Sequence, residues 1–223
     1  MDELNLIQKI AVMALPLVFA IVLHEVAHGW VADKLGDRTA RDMGRLTLNP
    51  ISHIDLFGTV IMPIMLMVMN APVFGYAKPV PINPYNFKDP KRGMALSSLA
   101  GPATNVLMAL VFAFVLRILL PALQGILPAS LWSWFGSPVA LMCFYGVIIN
   151  VFLAVLNLMP IPPLDGSRIV HWVLPDKQAA AYYRLEPYGF IIILALFALN
   201  ILGKIIMPIA GPVIHVLVGQ RLF

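Results

Sequence analysis

Long apolar stretches separated by short polar ones dominate the chain, and four of them stand out: Leu6 to Val31, Leu96 to Leu120, Val139 to Leu158, and Tyr188 to about Val218. Each of the first three has the roughly 20 residues that a helix needs to cross a hydrocarbon core about 30 Å thick. The fourth is interrupted by Gly203-Lys204, Pro208 and Gly211-Pro212, so one span with a tail and two short spans both fit it. A shorter run, Phe57 to Met69, falls short of a crossing. Gly58 and the turn signal Asn70-Ala71-Pro72 flank it, which predicts a re-entrant or shallow segment. Around it, Asp33 to Leu56 and Val73 to Arg92 read as irregular, with stretches such as Tyr76 to Ile82 suited to short strands. The expected fold is an all-α polytopic membrane protein of about four to six transmembrane helices, with a re-entrant segment and small β-strands near the cytoplasmic face. Residues 1–223 read as a single membrane-embedded domain, with its core over about 6–175 and C-terminal membrane segments at 188–218.

Composition agrees with a lipid setting. The chain is 60% hydrophobic and 12% charged, against about 25% charged in soluble domains. Its net charge of +4 is spread over loops rather than gathered in one tract, which sets topology and argues against nucleic-acid binding. The loop Pro121 to Pro138 has no Lys or Arg and carries Trp132 and Trp134 as interface anchors. By contrast, Lys34, Arg38, Arg41 and Arg45 follow the first span, and Lys78, Lys88, Lys91 and Arg92 precede the next. The bare loop is therefore expected outside and the basic loops in the cytoplasm, which suits a multi-pass protein of a cell inner membrane. The single Cys143 lies within an apolar run, which excludes an intrachain disulfide and a cysteine metal site. Asp2 and Glu3 precede Lys9, and the first run ends in His-Glu rather than at a small-residue cleavage site, so the first span is expected to be retained.

His24-Glu25-Val26-Ala27-His28 closes that first run. On a helix, residues four apart share a face, so both imidazoles can hold one metal while Glu25 stands close enough to act as a general base. This is the HExxH arrangement of zinc peptidases, placed at the cytoplasmic end of a span. A catalytic zinc takes three protein ligands, so a third donor is needed. Val31 and Lys34 occupy the positions where an extended H-E-x-x-H-x-x-G-x-x-H motif would require Gly and His, and the downstream Glu186 lies in a Leu-Glu-Pro loop. The remaining candidates are His53, Asp55, Asp165, His171 and His215. Depth favours Asp165, which follows the third span and returns to the level of the histidines after two crossings. It lies in Asn157-Leu158-Met159-Pro160-Ile161-Pro162-Pro163-Leu164-Asp165-Gly166, where prolines hold the chain stiff and Gly166 permits a sharp turn.

These residues carry a resemblance. His24-Glu25-Val26-Ala27-His28, Gly75-Tyr76-Ala77-Lys78-Pro79-Val80, Gly101-Pro102-Ala103-Thr104-Asn105 and the Asn157 to Gly166 stretch, in this order, resemble the site-2 protease family of intramembrane zinc metalloproteases, over about two thirds of the chain. The resemblance implies a three-span catalytic core holding one zinc ion through His24, His28 and Asp165, with Glu25 as base. By the same likeness Asn157 would orient substrate or stabilise the oxyanion, and Asn105 would belong to the supporting shell. The chain has no room for the PDZ or CBS domains of larger members. The implied reaction is hydrolysis of a peptide bond in or near a transmembrane segment of a membrane-protein substrate. Such a helix must unwind to expose its carbonyls, and Lys78, Pro79 and Val80 lie where an unwound segment could add as a strand.

Other polar features have plainer readings: His53-Ile54-Asp55 as a hydrogen-bonded turn, His171 and His215 as loop or helix-end residues, and Met62, Met65, Met67 and Met69 as packing of a shallow segment. Two rival functions compete with the protease. A silent scaffold or chaperone that binds membrane helices would not need Glu25, and a metal transporter would place ligands on several spans near mid-membrane. Oligomeric state leaves no mark in the sequence.

Overall fold

The computed structural model describes residues 6–68 and 75–219, the side chains of residues 6–11, 63 and 67 aside. Asp2, Glu3, Met69 and the Asn70-Ala71-Pro72 turn signal lie outside the described residues. Seven helices carry the architecture: α1 (Leu6–Lys34), α2 (Pro90–Phe114), α3 (Ser137–Asn157), α4 (Asp165–Val173), α5 (Asp176–Tyr183), α6 (Gly189–Ala198) and α7 (Ile201–Val218). Among the described residues, five helical stretches are long and apolar enough to cross a membrane: Val12–Lys34, Pro90–Gln124, Ala129–Asn157, Asp176–Ala198 and Ile201–Val218. The chain is thus a helical multi-pass membrane protein.

Helices α1, α2 and α3 pack on one another in all three pairings, α4 lies on α2, and α7 lies on α3. Lipid tails are as apolar as leucine, so close approach between such helices depends on small residues rather than on hydrophobic driving force. The interfaces supply them at Ala20, Gly101, Ala109, Ala113, Gly146 and Ala154, all buried. At Gly146 a Cβ would stand 2.6 Å from the Phe112 ring, so the glycine is what lets that ring cross α3. A buried apolar cluster that includes Leu116, Phe144, Val147, Val151, Leu202 and Ile206 packs α3 against α7 and the turn that follows α2.

The C-terminal apolar run resolves into one traverse of the bundle. It starts where Gly189 presses on the carbonyl of Pro162, at the histidine end. It finishes where the Arg117 guanidinium donates to the Val216 carbonyl at 2.8 Å, about 18 Å of helix beyond Asn105. Asn200, with a left-handed φ of 55°, breaks it into α6 and α7, while Pro208 and Pro212 are carried inside α7. The part of Asp176–Ala198 that precedes Gly189 stays at the histidine end, because Lys91 at the start of α2 pairs with Asp176 at 2.5 Å.

The expected small strands are not found among the described residues. Tyr76 to Ile82 lacks a ladder partner: the Tyr76 N–H donates to the Gly58 carbonyl at 3.1 Å and the Lys78 N–H to the His53 carbonyl at 2.9 Å. The Val80 N–H goes to a side chain, the Glu25 carboxylate, at 2.9 Å. Pro79 and Pro81 have no N–H to offer a neighbouring strand. The Phe57 to Met69 run is helical from Leu56 to Val68, in a π-helical turn followed by an α-helical one. The chain returns beside its start, where the Thr59 hydroxyl donates to the Tyr76 carbonyl at 2.9 Å.

Candidate metal centre

His24 and His28 lie one turn apart on α1 and are 8% and 7% exposed. They face α2 at Gly101, where a Cβ would stand 2.5 Å from His28 Cε1 and 2.6 Å from His24 Cε1. The glycine therefore makes the room that the two rings occupy. His28 Nδ1 donates to the Ser97 carbonyl at 2.7 Å, and His24 Nδ1 donates to Asn105 Oδ1 at 2.6 Å. Both acceptors are carbonyl oxygens, so in each ring Nδ1 carries the proton and Nε2 turns a lone pair inward.

The inward atoms converge. The two Nε2 atoms are 2.9 Å apart, and Asp165 Oδ2 is 3.2 Å from one and 3.3 Å from the other. With both rings neutral and Nδ1 protonated, no hydrogen would lie between any pair of the three, and among the described residues Asp165 Oδ2 is buried without a hydrogen-bond partner. Three mutually facing lone pairs at this spacing repel unless a cation sits among them. Zinc held tetrahedrally at about 2.0–2.1 Å requires ligand atoms about 3.3 Å apart, which the three distances approach. The donor set thus fits the zinc that the sequence implies.

Glu25 lies beside the centre, its carboxylate oxygen within 4.8 Å of the ligating atoms of both histidines. One oxygen accepts the Val80 N–H, which fixes the carboxylate from the loop side. Val80 itself is buried, and its methyl packs at Gly29, where a Cβ would stand 2.7 Å from it. The Arg45 guanidinium holds the preceding turn by donating to the carbonyls of Lys78 at 3.1 Å and Pro79 at 3.4 Å.

Asp165 opens α4, in its first turn, after the proline-rich loop. Gly166 does not adopt a left-handed φ; it is needed because a Cβ there would strike the Leu158 carbonyl, so close packing rather than a sharp turn explains it. A second tie comes from Arg168, one turn on, which pairs with Glu186 at 2.6 Å and lies over the Tyr183 ring at 5.5 Å.

His24, Glu25, His28, Asp165, Asn105 and Val80 are thus gathered at one place. Asn157 is not bonded to them: its Nδ2 donates to the Leu153 carbonyl at 3.0 Å, one turn back on α3. The Lys78 side chain is exposed, and that residue contributes through its backbone. His53 bonds through Nε2 to the Thr47 carbonyl at 2.9 Å, and Asp55 caps the Gly58 N–H at 2.7 Å, so this pair forms a turn. His171 meets the Tyr183 ring edge, and His215 lines a cavity of about 910 Å³ with Arg117 at the opposite end of the bundle. The sequence reading missed Asn150, which is fully buried and donates nothing to lipid; its Oδ1 accepts from Asn105 Nδ2 at 2.9 Å. The signal available was a lone amide in mid-span.

Comparison with known proteins finds relatives of this chain. The model of the family described as peptidase family M50 matches residues 129–199. YwhC of Bacillus subtilis (strain 168), named as a candidate zinc metalloprotease, is 36% identical over 196 residues, covering 88% of this chain and 84% of that protein. MJ0611 of Methanocaldococcus jannaschii, named likewise, is 34% identical over 160 residues, or 70% of this chain and 72% of its own length. Rip2 of Mycolicibacterium smegmatis, also so named, is 26% identical over 187 residues, or 84% and 66%. No solved structure matches the chain.

Proposed function

Because the chain belongs to peptidase family M50, the site-2 protease family of zinc metalloproteases, we propose that it hydrolyses peptide bonds in or near transmembrane segments of membrane proteins, through one zinc held by His24, His28 and Asp165. The observation that carries this is the convergence of three ligating atoms, two from α1 and one from the start of α4, at 2.9–3.3 Å from one another. When bound there, zinc supplies a Lewis acid for the scissile carbonyl and lowers the pKa of water towards about 7.

The chain's own residues do the rest. Glu25 takes the proton of the attacking water and returns it to the departing amine, with the Val80 N–H holding its carboxylate in place. Asn157 uses one Nδ2 hydrogen on Leu153, which leaves the other for the developing oxyanion. Asn105 and the Ser97 carbonyl keep the histidines in the tautomer that binds metal.

The substrate is a membrane helix that unwinds and lies along Tyr76 to Ile82. Tyr76, Lys78 and Val80 spend their N–H groups inward. Of the residues between them only Ala77 has an N–H, and the Tyr76, Lys78 and Pro79 carbonyls already accept from Thr59 and Arg45, so a paired substrate would chiefly donate to the second lone pairs of these carbonyls and to the Ala77 carbonyl. A cysteine at Tyr76 that never crosslinks to substrate would remove this element. The basic loops put the centre on the cytoplasmic side of an inner membrane, with the Leu56–Val68 helix dipping into the near leaflet.

The test is cleavage of a panel of single-span membrane segments by purified protein in liposomes, beside Glu25→Gln, with zinc assayed in both. Cleavage by the wild type alone, with zinc retained in the variant, supports the proposal. Zinc in both and cleavage in neither favours a helix-binding scaffold. Loss of zinc on removing Glu25 contradicts the assignment of that residue.

A further inference from the structure

Asn105 bonds His24 through an amide whose oxygen and nitrogen differ in what they can do, so something must decide which end faces the ring. Two backbone carbonyls decide it, because a carbonyl can only accept. Asn150 Nδ2 lies 2.8 Å from the Gly146 carbonyl, one turn back on α3, and must be the donor there. Its Oδ1 therefore faces Asn105, 2.9 Å from Nδ2. That same Nδ2 lies 3.3 Å from the Ala20 carbonyl on α1, so both of its hydrogens point away from the imidazole. Asn105 Oδ1 is left for His24, at 2.6 Å, and His24 Nδ1 must supply the proton. Asn105 and Asn150 are both fully buried, so bulk solvent does not reach these atoms.

We propose that Asn150 is a positioning residue for the metal centre, setting the orientation of the Asn105 amide and through it the His24 tautomer that presents Nε2 to zinc. This rests on the reading of His24 as a zinc ligand. With Asn150 replaced by an apolar residue, only the longer bond to Ala20 opposes a flip of Asn105. A flipped amide would offer an N–H to His24, favour the proton on Nε2 and so oppose zinc. Partners in this position commonly set metal affinity by 10–100-fold, and a group one bond further out is expected near the lower figure. Asp at position 150 behaves differently from Leu. Buried and neutral, its hydroxyl can donate to Gly146 while its carbonyl accepts from Asn105, reproducing both bonds.

The experiment is the zinc dissociation constant of the purified full chain by chelator competition. It is measured for wild type, Asn150→Leu, Asn150→Ser, Asn150→Asp and His24→Ala, and for Asn150→Leu in an Asn105→Ala background. Asn150→Leu and Asn150→Ser should each weaken zinc about tenfold, Asn150→Asp should stay within about twofold of wild type, and Asn150→Leu should change nothing further once Asn105 is gone. The serine variant keeps the test alive if the leucine one fails to fold. Wild-type affinity in either, or an equal loss with and without Asn105, would overturn the proposal and leave Asn150 as a helix-packing residue. Wild-type zinc binding by His24→Ala would instead overturn the ligand reading on which it rests.

Discussion

Gly101→Ala adds one methyl to the centre without adding or removing a polar atom, so any loss of metal must come from geometry alone. The added Cβ would stand 2.5 Å from His28 Cε1 and 2.6 Å from His24 Cε1, whereas ordinary contact begins at 3.4 Å. His28 Nε2 would be nearer still, so the rings or the helices must move by about 1 Å, several times the ~0.2 Å over which metal–ligand distances vary. The rings are not free to give, since Asn105 and Ser97 hold both Nδ1 atoms at 2.6–2.7 Å. If α2 moves instead, overpacking costs about 1–3 kcal/mol and stretches those same bonds. Either way zinc should weaken by about 100-fold. At a free zinc concentration 100 times the wild-type dissociation constant, binding stabilises the wild type by about 2.7 kcal/mol and such a variant by only about 0.4 kcal/mol. Thermal unfolding of both proteins with zinc and with chelator reads this directly: chelator should lower the wild-type midpoint and barely move that of Gly101→Ala. A variant with wild-type stability and an undiminished chelator shift would refute the account of how α2 accommodates the histidines.

Three further outcomes follow from the same geometry. Val80→Pro removes the N–H that Glu25 accepts; cleavage should fall about 10–100-fold, the worth of a hydrogen bond to a charged group, while zinc stays bound, and Val80→Ala, which keeps the N–H, should lose less. Asp165→Ala deletes the one carboxylate among the converging atoms and should release zinc on dialysis; full zinc occupancy would exclude Asp165 as a ligand. Asp37, at the loop end of α1, is pushed up by burial, but Thr39, Asn86 and Asn83 donate to its carboxylate and hold it below the usual carboxylate range overall. A depressed folded value means that its stabilisation is complete above the unfolded value of about 3.9 and is lost as pH falls through the folded one. Asp37→Ala should therefore cost about 2–4 kcal/mol at pH 7 and progressively less in acid, as read from unfolding midpoints across the pH range.

Much of this was legible in the residues because hydropathy and metal-ligand spacing are local signals. The run before His24 needed only length and apolarity to be a span, and Asp165 could be ranked above His53 and His215 by counting crossings. What the sequence hid were properties of pairs of segments. Asn150 sits midway along the apolar run from Val139 to Leu158, with hydrocarbon neighbours in sequence, and its meaning appears only when α2 brings Asn105 beside it. Gly166 looked like a turn residue because glycine relieves two constraints, positive φ and close approach, and local sequence does not say which applies. Tyr76 to Ile82 looked like a strand because prolines and branched residues suit an unfolded edge, yet a strand is defined by a partner, and here the partners are single atoms of Gly58, His53 and Glu25. The C-terminal run was ambiguous because Pro208 and Pro212, the conspicuous breakers, stay within α7, while the break falls at Asn200.

X-ray absorption at the zinc edge of the purified full-length protein bears most directly on the metal centre. Two imidazole nitrogens and oxygen at about 2.0–2.1 Å, with the carboxylate contribution and the zinc itself lost in Asp165→Ala, is the predicted result. A sulfur ligand at about 2.3 Å, a single imidazole, or a first shell unchanged by Asp165→Ala would contradict it.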